Sequence, residues 1–409
     1  MPQYGFYSDT KPPSREKSTA RRIIMLYRII RYVTLALVLA VWGTGCSGSD
    51  STSSNTTVDD HDFHLITSKI LLQARIDHLK ALLPEETFNK IFAATTTDPE
   101  CKEANRVQLE LPEKPNGQWY YTYENLIRAM AEWDKFAAEP KDDTNIQKLE
   151  IAAFLANIAQ ETGNQKGDFG GPGCAIQEGF GSAWHSCNFG GCNSDPNCQG
   201  TCPNGSGYPG RGPHQLTYRE NYNAYGESAG VGDAYVKDPD RLTKDPLVGI
   251  GGSIWFWGHE ERTSSSPPDI PFKPSAHDVV VGNWKPTEKD ITCGRAVANF
   301  GIIINLINGG VECCKCMYDK VDKKNECCDR NCTKCADPWG VDPEGGDCKG
   351  WSCCESIDCV NEACREPDER ATNRVTYLRA IAKEMGVTIP DGFDVDCRGQ
   401  LNFSNCASY

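Results

Sequence analysis

The chain has 409 residues, 39% hydrophobic and 24% charged, enough apolar material to bury one large core or two modest ones. Its formal charge of -14 argues against a nucleic-acid binder, because nonspecific affinity for phosphate backbones comes from lysine and arginine. A neutral or cationic polysaccharide is the better-matched partner. The 22 cysteines imply disulfides made in an oxidising compartment.

Arg21, Arg22, Arg28 and Arg31 precede an apolar run from Val33 to Trp42, followed by Gly43-Thr44-Gly45-Cys46. The pattern is that of a secretory signal. A run of about ten residues is short for a membrane span, but extended back to Ile23 it makes a signal anchor. Residues 1–46 are therefore read as a signal peptide or signal anchor, and the protein as secreted or extracellular, membrane-anchored in the second case. Residues 47–63 are serine, threonine, asparagine and aspartate with little to bury, a flexible linker.

Order is expected from His64. Ile66, Ile70, Leu71, Ala74, Leu79 and Leu82 place a helix within Leu65–Leu83, and Pro84-Glu85-Glu86 opens another through Phe92. Leu126, Ile127, Met130, Trp133 and Phe136 predict a helix over Tyr123–Ala138. The stretch Ile146–Thr162 is apolar nearly all round, which predicts a central helix ended by Gly163. From Gly163 to Gly212 glycine and Cys174, Cys187, Cys192, Cys198 and Cys202 replace periodicity, so this region reads as a long covalently held loop.

Helical spacing returns over Pro246–Glu260 and Ile291–Leu306, and again at Val375, Leu378, Ile381, Ala382 and Met385. Between them residues 314–366 are crowded with cysteines and nearly free of aliphatics, a small disulfide-stapled insertion. A zinc reading of Cys327, Cys328, Cys332 and Cys335 lacks a histidine and a repeating spacing, so no metal or cofactor is expected. The elements make a mainly α fold.

Two carboxyls stand out. Glu161 continues the apolar face of Phe154 and Ile158, where burial raises a carboxyl pKa and keeps it protonated. Glu178, in a glycine- and cysteine-bounded loop, can stay hydrated and charged. Such a pair suits glycosidic cleavage, which needs one protonated and one ionised carboxyl. Taken singly, Glu161 also reads as a salt-bridged helix-end residue and Glu178 as a surface residue.

Read together, the middle of the chain resembles the family 19 chitinases. The resemblance is carried by Phe154-Leu155-Ala156-Asn157-Ile158-Ala159-Gln160-Glu161-Thr162, by Cys174 ahead of Gln177-Glu178, and by Tyr208 with Gly210-Arg211-Gly212-Pro213-His214-Gln215-Leu216-Thr217 and Asn221-Tyr222. Trp255-Phe256-Trp257, Lys273-Pro274-Ser275-Ala276-His277-Asp278-Val279, Gly282-Asn283-Trp284 and Asn305 to Cys313 follow in the same order, and Asp368 to Val387 resembles the family's closing helix.

The resemblance implies a two-lobed, lysozyme-like helical domain with a deep cleft and disulfide-stapled loops, formed by residues 64–313 and 367–409. It implies a monomeric enzyme acting on chitin or a related amino-sugar polysaccharide by endo-acting, inverting hydrolysis. Glu161 would be the general acid, Glu178 the general base and Thr217 the hydroxyl that places the attacking water. Asn221, Lys273 and Asn308 would line the substrate groove, with Arg374 as its cleft-facing arginine. Disulfides Cys101–Cys174, Cys187–Cys202 and Cys313–Cys397 are implied, with Cys192–Cys198 an added pair. Departures from the family pattern are Gln160 for its usual histidine, Gly163 for a frequent threonine and Ile270 for a substrate-contacting glutamine. A peptidoglycan-cleaving lysin and a non-catalytic polysaccharide-binding protein are the alternatives.

Overall fold

The computed structural model describes residues 63–101, 120–175, 207–261, 273–313, 369–400 and 403, all within one compact unit, Asp60–Tyr409. The readings made of residues 1–46, the linker up to residue 62, Glu178, Cys187, Cys192, Cys198, Cys202, Ile270 and the insertion 314–366 lie outside the described residues.

The expected mainly α class is what is observed. In chain order the helices are α1 (Lys69–Leu82), α2 (Glu85–Ile91), α3 (Ala93–Thr97), α4 (Tyr123–Glu132), α5 (Thr144–Thr162), α6 (Arg219–Ser228) and α7 (Ala234–Lys237). They continue with α8 (Arg241–Lys244), α9 (Pro246–Gly258), α10 (Ala276–Val281), α11 (Glu288–Thr292), α12 (Phe300–Glu312) and α13 (Glu369–Glu384). Among the described residues β pairing is limited to three isolated bridges, Leu65 with Trp133, Arg211 with Leu216 and Glu261 with Lys273.

The expected central helix is α5. The Asp143 side chain caps it by accepting from the backbone N–H groups of Asn145 and Ile146, and Ile151 through Ile158 are buried on every side. α13, α10 and α1 pack around it. At its end Gly163 takes an extended conformation, and a Cβ there would lie 2.1 Å from the Ala159 carbonyl oxygen, so only glycine lets the chain turn this closely.

The core of α5 also holds a carboxyl. Glu150 is fully buried and accepts from Trp257 Nε1 at 2.9 Å, from the Ala137 N–H at 2.8 Å and from His277 Nδ1 at 2.8 Å. These bonds tie α5 to α9 and α10, the helices that carry one end of the groove described below. Burial opposes a charge on His277, but Glu150 together with Glu139 more than offsets it and the imidazole pKa is raised to about 10.

Two predicted helices differ from those observed. The helix expected over Tyr123–Ala138 stops at Glu132, because the chain there pairs with the N-terminal segment: Ile66 N–H donates to Glu132 O at 2.8 Å and Asp134 N–H to His64 O at 3.0 Å. The helix expected over Ile291–Leu306 is two, α11 and α12. Gly294 turns between them at φ 79° with room for no side chain, since a Cβ would meet the Gly399 carbonyl oxygen at 2.0 Å. The disulfides Cys101–Cys174 and Cys313–Cys397 are both present. Cys293 is disulfide-bonded as well, to a partner outside the described residues.

Candidate active site

Glu161 lies in the last turn of α5 with its side chain 17% exposed. Burial is the main reason its pKa is raised; Arg374 opposes the rise and Glu312 adds to it. Arg374, from α13, is 0% exposed. Its Nε and Nη2 donate to the two Glu312 oxygens, each at 2.7 Å, its Nη1 donates to Asn157 Oδ1 at 2.8 Å, and Nη2 also donates to Glu161 Oε1. Asn308 Nδ2 donates to Glu312 Oε1 at 2.9 Å. One guanidinium thus joins the acid on α5 to a buried carboxylate on α12, and Asn308 links that carboxylate to the cavity wall.

The turn 210–217 contributes to the same cavity as Glu161. The Arg211 side chain, buried, anchors it by donating to Asp240 Oδ1 at 2.8 Å and to the Tyr222 hydroxyl at 2.9 Å. Gly212 sits at φ 74°, and a Cβ there would lie 2.5 Å from the Gly249 carbonyl oxygen, so glycine lets the turn pack directly on α9. Thr217 Oγ1 donates to Gln215 O at 2.7 Å, and Asn221 Nδ2 holds the Thr217 carbonyl at 2.8 Å. Tyr218 follows at φ 76°, ψ 138°, a left-handed backbone unusual for a bulky residue, and its ring is 44% exposed.

A cavity of about 460 Å³ lies between these walls, lined by Glu161, Ala175, His214, Thr217, Tyr218 and Asn308 among others. A second, of about 530 Å³, is lined by Glu261, Lys273 and His259. Tyr218, Asn221, Phe256 and Ile307 belong to both, so the two cavities adjoin along one stretch of surface, called the groove below. Lys273 Nζ is 2.5 Å from Glu261 Oε2, beside the backbone bridge that joins these residues.

The structure therefore brings Glu161, Thr217, Asn221 and Asn308 to one cavity and Lys273 to its continuation. Arg374 is placed differently from the sequence expectation: it is wholly buried behind Glu161 rather than facing the cleft, because two carboxylates and Asn157 engage its fork. Trp255 and Trp257 are buried, as core residues. Sequence reasoning gave no role to Glu312, His214 or Tyr218. Glu312 had no signal beyond its place in an apolar helix, whereas a histidine inside the glycine-rich Gly210 to Thr217 segment and an aromatic directly after Thr217 were both visible.

A carboxyl whose pKa burial raises, on the wall of a cavity that also holds amides and hydroxyls in a helical domain, has the features of a glycosidase's general acid. The family model for class I chitinases, glycoside hydrolase family 19, matches residues 109–348, more than half of the chain, and the chain belongs to that family. It is 35% identical over 253 residues to endochitinase 2 of Gossypium hirsutum, covering 60% of this chain and 71% of that one. To endochitinase 1 of Theobroma cacao it is 38% identical over 213 residues, covering 50% and 59%. Among solved structures, chitinase C from Streptomyces griseus matches with 21% identity and a TM-score of 0.42 over 75% of this chain and 78% of that one.

Proposed function

We propose that this protein hydrolyses chitin, cutting β-1,4-linked N-acetylglucosamine chains internally with inversion of the anomeric centre. The observation that carries the reading is Glu161: a carboxyl whose pKa burial raises, lining the same cavity as Thr217. As general acid it protonates the glycosidic oxygen. Glu178 is the general base in this reading, with Thr217 helping to place the water it activates. Ala175 lines the same cavity and is fixed by its N–H to Thr162 O at 2.8 Å. Inversion requires the two carboxyls roughly 6.5 to 9.5 Å apart, room for one water.

Asn221, Asn308 and Lys273 supply hydrogen bonds along an extended substrate, and the exposed Tyr218 ring offers a sugar-stacking face. Two adjoining cavities along the groove suit an internal stretch of polymer rather than a chain end. The disulfides and the N-terminal sequence favour action outside the cell.

The test is incubation with chitohexaose followed by NMR of fresh products. The wild type is expected to release α-anomers from the β-linked substrate and Glu161→Gln to lose at least about a hundredfold in kcat while still binding the sugar. Full turnover by Glu161→Gln would overturn the acid assignment, β-anomers would overturn inversion, and cleavage of peptidoglycan in place of chitin would overturn the substrate.

A further inference from the structure

His214 is a buried group of the cavity wall whose ring uses one of its two nitrogens in hydrogen bonding among the described residues. Its side chain is 4% exposed and is held on several sides: its ring packs against Phe154 and Trp257 at centroid distances of 4.5 and 5.8 Å, and its backbone N–H donates to Ser253 Oγ at 3.0 Å. Nε2 lies 3.3 Å from the Phe154 carbonyl oxygen. A carbonyl only accepts, so Nε2 carries the proton. Burial pushes the imidazole pKa down to about 3, so near neutrality the ring has that one proton and Nδ1 is a bare acceptor. Nδ1 is buried and has no hydrogen-bond partner among the described residues. An unsatisfied buried acceptor is unfavourable in a folded protein, and this one belongs to a residue lining the same cavity as Glu161 and Thr217.

We propose that His214 is a specificity-determining residue whose Nδ1 accepts a hydrogen bond from an N–H or O–H of the amino sugar bound beside Glu161. The role rests on the chitinolytic reading above and sharpens it. A fixed acceptor in a buried position discriminates for a sugar that presents a donor there and against one that does not. It fits the chemistry of N-acetylglucosamine, which carries amide and hydroxyl donors around one ring.

Side-chain length separates this role from a structural one. Asparagine places Oδ1 two bonds from Cβ, as Nδ1 is, and keeps the acceptor while losing the bond to α5. Glutamine reaches as far as Nε2 and keeps the bond to Phe154 O while losing the acceptor. Three variants, His214→Leu, His214→Asn and His214→Gln, are compared for KM and kcat on chitohexaose, for calorimetric binding of the same sugar in a Glu161→Gln background, and for thermal unfolding.

His214→Leu and His214→Gln are expected to weaken binding and raise KM by about 5- to 10-fold, with His214→Asn recovering most of that loss and thermal stability not following the same order. Binding by His214→Leu equal to that of the parent would overturn the proposal, as would recovery by glutamine and not by asparagine. If the parent binds chitohexaose but never cleaves it, the hydrolytic reading fails while the His214 contact stands or falls on the binding data. If the parent neither binds nor cleaves, both fail.

Discussion

Replacing Arg374 by methionine removes the cation that links Glu161 to Glu312 while keeping most of the side-chain volume. Arg374 makes four hydrogen bonds to charged or amide oxygens and is completely buried. Removing one partner of such a cluster leaves uncompensated carboxylates in a poorly hydrated place, a loss of about 3–5 kcal/mol. The loss depends on pH. Arg374 lowers the Glu161 pKa against the dominant effect of burial, so without it Glu161 keeps its proton to higher pH. A carboxyl whose folded pKa is raised binds more protons folded than unfolded, and its stability contribution declines as pH rises through that value. The variant is therefore expected to be close to the wild type near pH 4.5 and to fall behind by about 3–5 kcal/mol at pH 8 in urea unfolding. Where it remains folded, the alkaline limb of its kcat/KM profile should move to higher pH, at a lower maximum because Glu161 has lost its tether. A limb that stays in place or moves down, or a stability loss independent of pH, would refute the coupling.

His277→Leu should flatten the alkaline side of the stability curve. With its folded pKa raised to about 10, His277 contributes stability that is fully present below its unfolded value near 6.5 and is lost as pH rises through 10; the shift corresponds to about 5 kcal/mol at most. Urea midpoints of variant and wild type should thus differ widely at pH 6 and converge by pH 10. On the proposed role of its hydroxyl in placing water rather than the sugar, Thr217→Val is expected to lower kcat at least about tenfold with little change in KM, and Thr217→Ser to restore most of it. Removing Cys101–Cys174, which closes a 73-residue separation, should cost about 4 kcal/mol and reduce activity further, since Ala175 on the cavity wall directly follows Cys174; a thermal melt and a rate measurement check each part.

What the sequence disclosed and what it hid divide along physical lines. α5 was legible because an unbroken apolar stretch bounded by Asp143 and Gly163 has few alternatives, and the turn 210–217 was legible because its glycines mark close backbone approaches. The helix expected over Ile291–Leu306 was misjudged because its interruption depends on Gly399, distant in sequence. Trp133 and Phe136 have the spacing of a helix and are buried as expected, yet backbone pairing with residues 64 to 66 unwinds them, a tertiary override of local pattern. α6 was not foreseen because Arg219 to Ser228 is largely polar and buries only Tyr222, Tyr225 and Gly226. Arg374 was assigned by resemblance to the cleft, and only the three-dimensional arrangement of Glu312 and Asn157 shows why its side chain turns inward.

That inward turn sets the opposing influences on Glu161: burial and the neighbouring Glu312 raise its pKa, and the Arg374 guanidinium lowers it. The buried group contains one cation and two carboxyls, and its low-dielectric surroundings favour the state closest to neutral. Glu312, 1% exposed, engages two nitrogens of Arg374 and balances its charge; Glu161, 17% exposed and touching a single nitrogen, is the member at the groove. Burial and Glu312 outweigh Arg374, so the Glu161 pKa is raised overall, and of the two carboxyls Glu161 is the one that lines the cavity. In the proposed reaction the arginine is a positioning residue: it fixes the orientation of Glu161, while Glu312 shares its charge and adds to the rise in the Glu161 pKa.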